Sequence, residues 1–178
     1  AVIQEYGFAL APLSFVKFCM SNTAECEARP GAVEKQLTLA ELRSVNSAVN
    51  RAISPLKKPT DPLLGQWTVE ASLGDCNDYA VTKRHRLIAA GWPSSKLRLA
   101  VVVTGSGQGH LVLVARLPEG DVVLDNLMDT VKPWDKLGYE WVSMQSGDNP
   151  RFWTVVGERG RARQMRLQAL AANVTNPG

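Results

Sequence analysis

The sequence predicts an α+β fold, a helical N-terminal part packed on an antiparallel β-sheet. Two observations carry this. The apolar residues of the first half recur at three- and four-residue steps. Those of the second half run in short β-branched blocks separated by turn residues. The chain has 178 residues, 45% hydrophobic and 21% charged. That composition excludes a disordered or collagen-like chain. A net charge of +3 is too small to argue for nucleic acid or a membrane surface as partner. No apolar run approaches the roughly 20 residues of a membrane span.

The opening stretch reads as loop and short helix, with LSFVKFC as an apolar patch. The next helix is well marked. Thr38 and Glu41 form a capping box, Leu37 and Leu42 a hydrophobic staple. Leu42, Val45, Val49, Ala52 and Ile53 make its apolar face, and Ser54-Pro55 stops it. KKPTDPLLGQW is a proline-punctuated loop. A second helix runs from about Cys76 to Ala90, capped by Asp75, with Asp78 in its first turn. Ala80, Leu87 and Ile88 supply its buried side, and Gly91-Trp92-Pro93 ends it.

LRLAVVVTG, HLVLVARL and DVVLDNL then read as strands, with PEGD as a hairpin turn. KPWDKLGYEWVSM and RFWTVVG read as further strands, their tryptophans (Trp134, Trp141, Trp153) as core. ERGRARQMRLQALAAN is a terminal helix whose arginines form a solvated face, and TNPG a frayed end. No linker separates two domains. The expectation is one domain over 1–178: a helical part (1–60), a catalytic core (61–157) and a C-terminal helix and tail (158–178).

Three cysteines divide unevenly. Cys19 and Cys26 can close an eight-residue loop as a disulfide, which implies an oxidising compartment, or stand reduced in a cytosolic protein. No nearby Cys/His pair completes a zinc site. The chain begins AVIQEYG, which fits either a cytosolic protein or one whose signal peptide has been removed.

Cys76 is the odd thiol. At a helix start, backbone N–H groups and the macrodipole favour its thiolate, and Gly74 lets a backbone or substrate approach. His85 lies among Lys83, Arg84 and Arg86 and reads as part of a solvated face. His110 follows the glycine-rich TGSGQG turn and opens a strand, where a base can meet the thiol. Asp125 is an acid inside an apolar strand and implies a partner. A two-residue loop at Glu119-Gly120 pairs Val114 with Asp125 and puts His110 on the same sheet face. Sheet twist or a bulge must then close the offset between them. Asp121 and Asp129 read as solvent-facing.

GDCNDYAVTKRHRLIAAG, then GHLVLVARL, then VVLDN closely resemble the bacterial transglutaminase-like cysteine proteinases. Their motifs run near G-D-C-x-D-Y-A, H-x-V-L and L-D-N. The resemblance covers about Trp67 to Trp153, and Cys19 and Cys26 resemble the family's N-terminal cysteine pair. It implies a papain-like, transglutaminase-like fold with Cys76 as nucleophile, His110 as base and acid, and Asp125 as orienter. The backbone N–H of Cys76, with Gln66 or Trp67, would hold the oxyanion. The implied activity is a periplasmic cysteine endopeptidase acting on a protein or peptide through a thioester. The same residues would serve an amidase or acyl transferase, or a non-catalytic binding module. The chemistry needs no cofactor. Family members that cleave adhesins need calcium and read G-D-C-E-D-Y-A, with the flanking acids on the metal. Here Asp75 and Asn77 hold those positions, and the uncharged Asn77 weakens any calcium site.

Overall fold

The computed structural model describes residues 1–57 and 62–175. Its centre is a seven-stranded sheet in the order β1-β9-β8-β4-β5-β6-β7. The strands are β1 (Glu5–Ala9), β4 (Leu97–Val103), β5 (Gly109–Leu117), β6 (Gly120–Asp125), β7 (Met128–Pro133), β8 (Glu140–Gln145) and β9 (Trp153–Val156). All their pairings are antiparallel. The helices are α1 (Leu13–Ser21), α2 (Leu39–Ala52), α3 (Cys76–Ala89) and α4 (Gly157–Thr175). A small parallel pair, β2 (Ser54–Pro55) and β3 (Leu73–Gly74), joins the end of α2 to the start of α3. The α2, α3 and α4 segments and strands β4, β5, β6, β8 and β9 fall where the sequence places them, and β7 is an additional strand. Within KKPTDPLLGQW, residues 58–61 lie outside the described residues, as do 176–178 of the predicted frayed end.

Alternation sorts each central strand between two cores. Leu97, Leu99, Val101, Leu111, Leu113, Ala115 and Leu124 pack with α1 and α3 against Phe15, Trp67, Leu87, Trp92 and Trp153. Ala100, Val102, Val112, Val114 and Val123 face the other way, onto Ile3, Trp141, Met144 and Val156. With both faces covered, these strands read as continuous apolar runs.

Three expectations are corrected. The opening residues include a strand, β1, not only loop and helix; it pairs β9 with a register shift between Glu5 and Phe8. Asp121 is buried, not solvent-facing: it accepts from Ile3 N at 2.8 Å and from both arms of Arg116. The basic run in α3 is a solvated face only in part: His85 and Arg86 stay partly exposed, but Lys83 and Arg84 are buried. The Arg84 guanidinium donates to Leu97 O at 3.0 Å and Glu25 O at 2.7 Å. A planar fork can satisfy carbonyls on two elements at once, which makes its burial tolerable.

Those bonds fix the cysteine loop to α3. Cys19, near the end of α1, is joined to Cys26 in a disulfide, with Cα atoms 5.7 Å apart. Glu25 also pairs with His85. Closing an eight-residue loop is worth about 2.5 kcal/mol through the unfolded chain. Replacing both cysteines by serine should therefore lower the thermal midpoint by roughly 5–10 °C. Calorimetry under non-reducing conditions reads this, and reduction of the native protein should reproduce it.

Candidate active site

Cys76 is the first residue of α3, and its surroundings are built to hold that helix end. Asp75 and Asp78 form a capping box. Asp75 Oδ1 accepts from Asn77 N, and Asp78 Oδ2 accepts from Asp75 N at 3.0 Å. The other Asp78 oxygen accepts from Thr68 N at 2.7 Å, tying the preceding loop to the helix. The β2–β3 pair fixes the approach, with Leu56 N donating to Gly74 O at 2.8 Å. Gly74 is needed for a different reason from the one the sequence suggested. A Cβ there would lie 2.6 Å from both Cβ and Oδ2 of Asp78. The close approach is by this carboxylate.

Opposite the helix end, β5 begins. The Gly109–His110 mouth of β5, Cys76 and Asn126 line one hollow of about 280 Å³. His110 Nε2 lies 2.9 Å from Asp125 Oδ1, and both residues are buried. The register explains how they meet. The hairpin turns at Pro118-Glu119, one position earlier than expected, so Leu117 pairs Gly120 and Leu113 pairs Leu124. Parity is unchanged, and His110 and Asp125 share a face as the sequence predicts. Continuing the register puts Asp125 opposite Val112. The offset is therefore two residues instead of four, a diagonal neighbour within side-chain reach.

Asp125 gathers further donors. Leu127 N reaches Oδ1 at 3.0 Å, and the Tyr139 hydroxyl reaches Oδ2 at 2.5 Å. Burial opposes its charge. The His110 hydrogen bond and charge, then the Tyr139 and Leu127 donors, outweigh burial and hold its carboxyl below the ordinary range. Tyr139 was not singled out from the sequence. It sits in an irregular stretch before β8, where no periodicity aims a side chain.

The thiol behaves contrary to expectation. Burial pushes Cys76 up to about 12, and the charges of Asp75 and Asp125 add to this. Backbone N–H groups of Leu111 and Asn77 act the other way but do not prevail. The helix end alone does not make a thiolate here. The nearby Lys83 ammonium lies 5.7 Å from the Tyr79 ring centroid. Burial pulls it down to about 7, against the attraction of Asp125 and Asp129.

Gln66 and Trp67, the suggested oxyanion donors, line a separate hollow with Phe18 and Asn22. The Trp67 ring packs edge-on to Phe15 in the core. Asn77 is fully buried and accepts from the Cys76 thiol at 3.8 Å. Calcium wants six to eight oxygens, several of them charged. Beside Cys76, Asp78 has both oxygens on backbone N–H groups and Asn77 carries no charge. Asp75 and Asn77 thus bring one formal charge between them to any calcium site beside Cys76. Among the described residues, no group of three or more His, Cys, Asp or Glu is placed to hold a metal ion.

The sequence profile described as bacterial transglutaminase-like cysteine proteinase BTLCP matches residues 5–161. No curated protein sequence matches the chain. Among solved structures, calcium-bound LapG of Legionella pneumophila is similar at 22% identity and a TM-score of 0.55. The match covers 87% of this chain and 89% of that one. The EGTA-treated form of LapG matches at 24% identity and a TM-score of 0.51, over 74% of this chain and 71% of that one. These likenesses show a shared α+β, transglutaminase-like fold.

The crowding at Gly74 generates a test. Gly74→Ala must displace the Asp78 carboxylate and should destabilise the protein by about 1–3 kcal/mol. Urea unfolding reads this. An unchanged midpoint would contradict the packing described.

Proposed function

The chain belongs to the bacterial transglutaminase-like cysteine proteinase family and is a cysteine peptidase; on that premise we propose that it cleaves peptide bonds of a protein substrate through Cys76, His110 and Asp125. The observation that carries the reading is the shared hollow of Cys76 and His110, with His110 Nε2 already held by Asp125. Nδ1 is then the ring nitrogen left to exchange a proton with the thiol.

The steps follow from the chemistry of these groups. Cys76 passes its proton to His110 as Sγ attacks the acyl carbon. The carbonyl π electrons move to oxygen, and the Cys76 backbone N–H at the start of α3 donates to that oxyanion. One such donor is worth about 2.7–4 kcal/mol in the transition state. The tetrahedral species collapses as the C–N bond breaks and His110 returns its proton to the leaving amine. A thioester remains. Water then attacks it, giving its proton to His110 and releasing the acid and the thiol. Asp125 stays ionised and fixes the imidazole tautomer and orientation. Because the thiol is not acidic on its own, the base is indispensable.

We place the protein in the periplasm. The Cys19–Cys26 bond supports an oxidising compartment, and no described helix is long and apolar enough to cross a membrane. We read Asp75 as a helix cap and the reaction as independent of any cofactor.

Two tests follow. A thiol-directed electrophile should label Cys76 at pH 7, and His110→Ala should cut that labelling at least tenfold. The raised thiol pKa sets the sign: in His110→Ala, labelling should climb only as pH rises into the alkaline range. Equal labelling of both proteins at pH 7, read by mass spectrometry, would sink the reading. Peptidase assays with EGTA or millimolar calcium should agree within twofold; a larger dependence would return calcium to this site.

A further inference from the structure

We propose that Tyr139 is the positioning residue of this site, its hydroxyl locking Asp125 so that Asp125 holds His110. The inference rests on the reading of Cys76, His110 and Asp125 given above. The buried carboxylate of Asp125 has two oxygens to satisfy, and their donors differ. Oδ1 receives His110 Nε2 and Leu127 N. Oδ2 receives the Tyr139 hydroxyl at 2.5 Å. A carboxylate pinned at one oxygen only can swing about its Cβ–Cγ bond. Pinned at both, it cannot leave the imidazole. Tyr139 also sets its ring against the base: the His110 and Tyr139 centroids lie 5.8 Å apart with the rings at 65°. One side chain therefore braces both the acid and the ring it orients.

Tyr139 also lines a second hollow, of about 450 Å³, with Ile3, Tyr6, Trp134 and Trp141. Tyr139 thus borders this hollow and bonds to Asp125 and packs on His110. It is not among the residues lining the Cys76 hollow, so substrate has no cause to touch it. The expectation is a change in turnover without a change in binding.

The test is Tyr139→Phe, which keeps the ring and removes the hydroxyl. A hydrogen bond to a buried charge is at stake, so kcat should fall roughly tenfold to a hundredfold while KM stays within twofold. The pH profile supplies a reading that loss of packing does not. Asp125 is held low partly by the Tyr139 donor. Without it the carboxyl pKa rises, and the acid limb of kcat/KM should move to higher pH. Rates are taken per competent site, counted with an irreversible thiol probe, so partial unfolding cannot mimic the result. Trp134→Ala opens the neighbouring wall without touching Asp125 and should leave the acid limb in place. The proposal is overturned if Tyr139→Phe keeps kcat within twofold and its acid limb, or if Trp134→Ala moves the limb as far. Cys76→Ala separates this from the underlying reading: activity retained there defeats Cys76 as the nucleophile. An inactive Cys76→Ala beside an unaffected Tyr139→Phe defeats only the role of Tyr139.

Discussion

A buried, ionised carboxylate at Asp125 is the constraint on which the arrangement of the site depends. Removing such a charge from water costs several kcal/mol even after relaxation. It survives only because donors converge on it from three places: His110 at the mouth of β5, Leu127 N in the turn after β6, and Tyr139 ahead of β8. Each must arrive at the end of β6 at the same time. That requirement links the β5–β6 register, the β6–β7 turn and the path into β8. The turn is itself held from outside the sheet. Asn50 Nδ2 donates to Asp125 O and Met128 O, and Asn46 Nδ2 to Met128 O and Asp129 O. Helix α2, which carries no reacting group, thus fixes the backbone beneath the acid.

The nucleophile side obeys a different logic. Its supports are local: the capping box of Asp75 and Asp78, the Thr68 anchor, and the β2–β3 pair that delivers Gly74 under Asp78. They set position with high redundancy but not acidity. A helix N-terminus offers partial positive charge, yet Cys76 is buried beside carboxylates, and desolvation wins. The consequence is a thiol that does little without its base. Orientation of His110 then matters more than it would beside a preformed thiolate, which is why the bracing of Asp125 carries weight.

Much of this was legible in the sequence, and the failures share a cause. The N-cap at Thr38 was readable because its donor and acceptor are close in sequence: the side chain of Thr38 accepts from Glu41 N, while the Glu41 carboxylate accepts from Lys35 Nζ. The common face of His110 and Asp125 was readable because it depends only on parity. Their separation was not, since it depends on whether the hairpin turns at Pro118-Glu119 or one residue later. Asp121, Lys83 and Arg84 misled for the same reason. Charge suggests solvent, and the partners that permit burial are distant: Ile3 N lies 118 residues from Asp121, and Glu25 O lies 59 from Arg84. β1 was hidden because, as an edge strand with mostly exposed side chains, it carries no apolar alternation. Tyr139 was hidden because it lies in an irregular stretch, and its contacts with Asp125 and His110 are made to other strands.

The site also explains why it must lie at the end of the sheet. Cys76 belongs to the core between α3 and one face. His110 and Asp125 share parity with Val112, Val114 and Val123, which point to the other face. In mid-sheet the backbone would separate these groups by a full layer. At the mouth of β5, where Gly109 and His110 begin the strand as β6 finishes, no further residues intervene. A helix-borne thiol and an imidazole from the opposite face can then border one hollow. The same geometry leaves the acid exposed to the far side unless something covers it there. Two strands of the sheet cannot supply that cover, because their side chains at the end have run out. A ring from another segment is required, and Tyr139, arriving from the loop before β8, occupies that position.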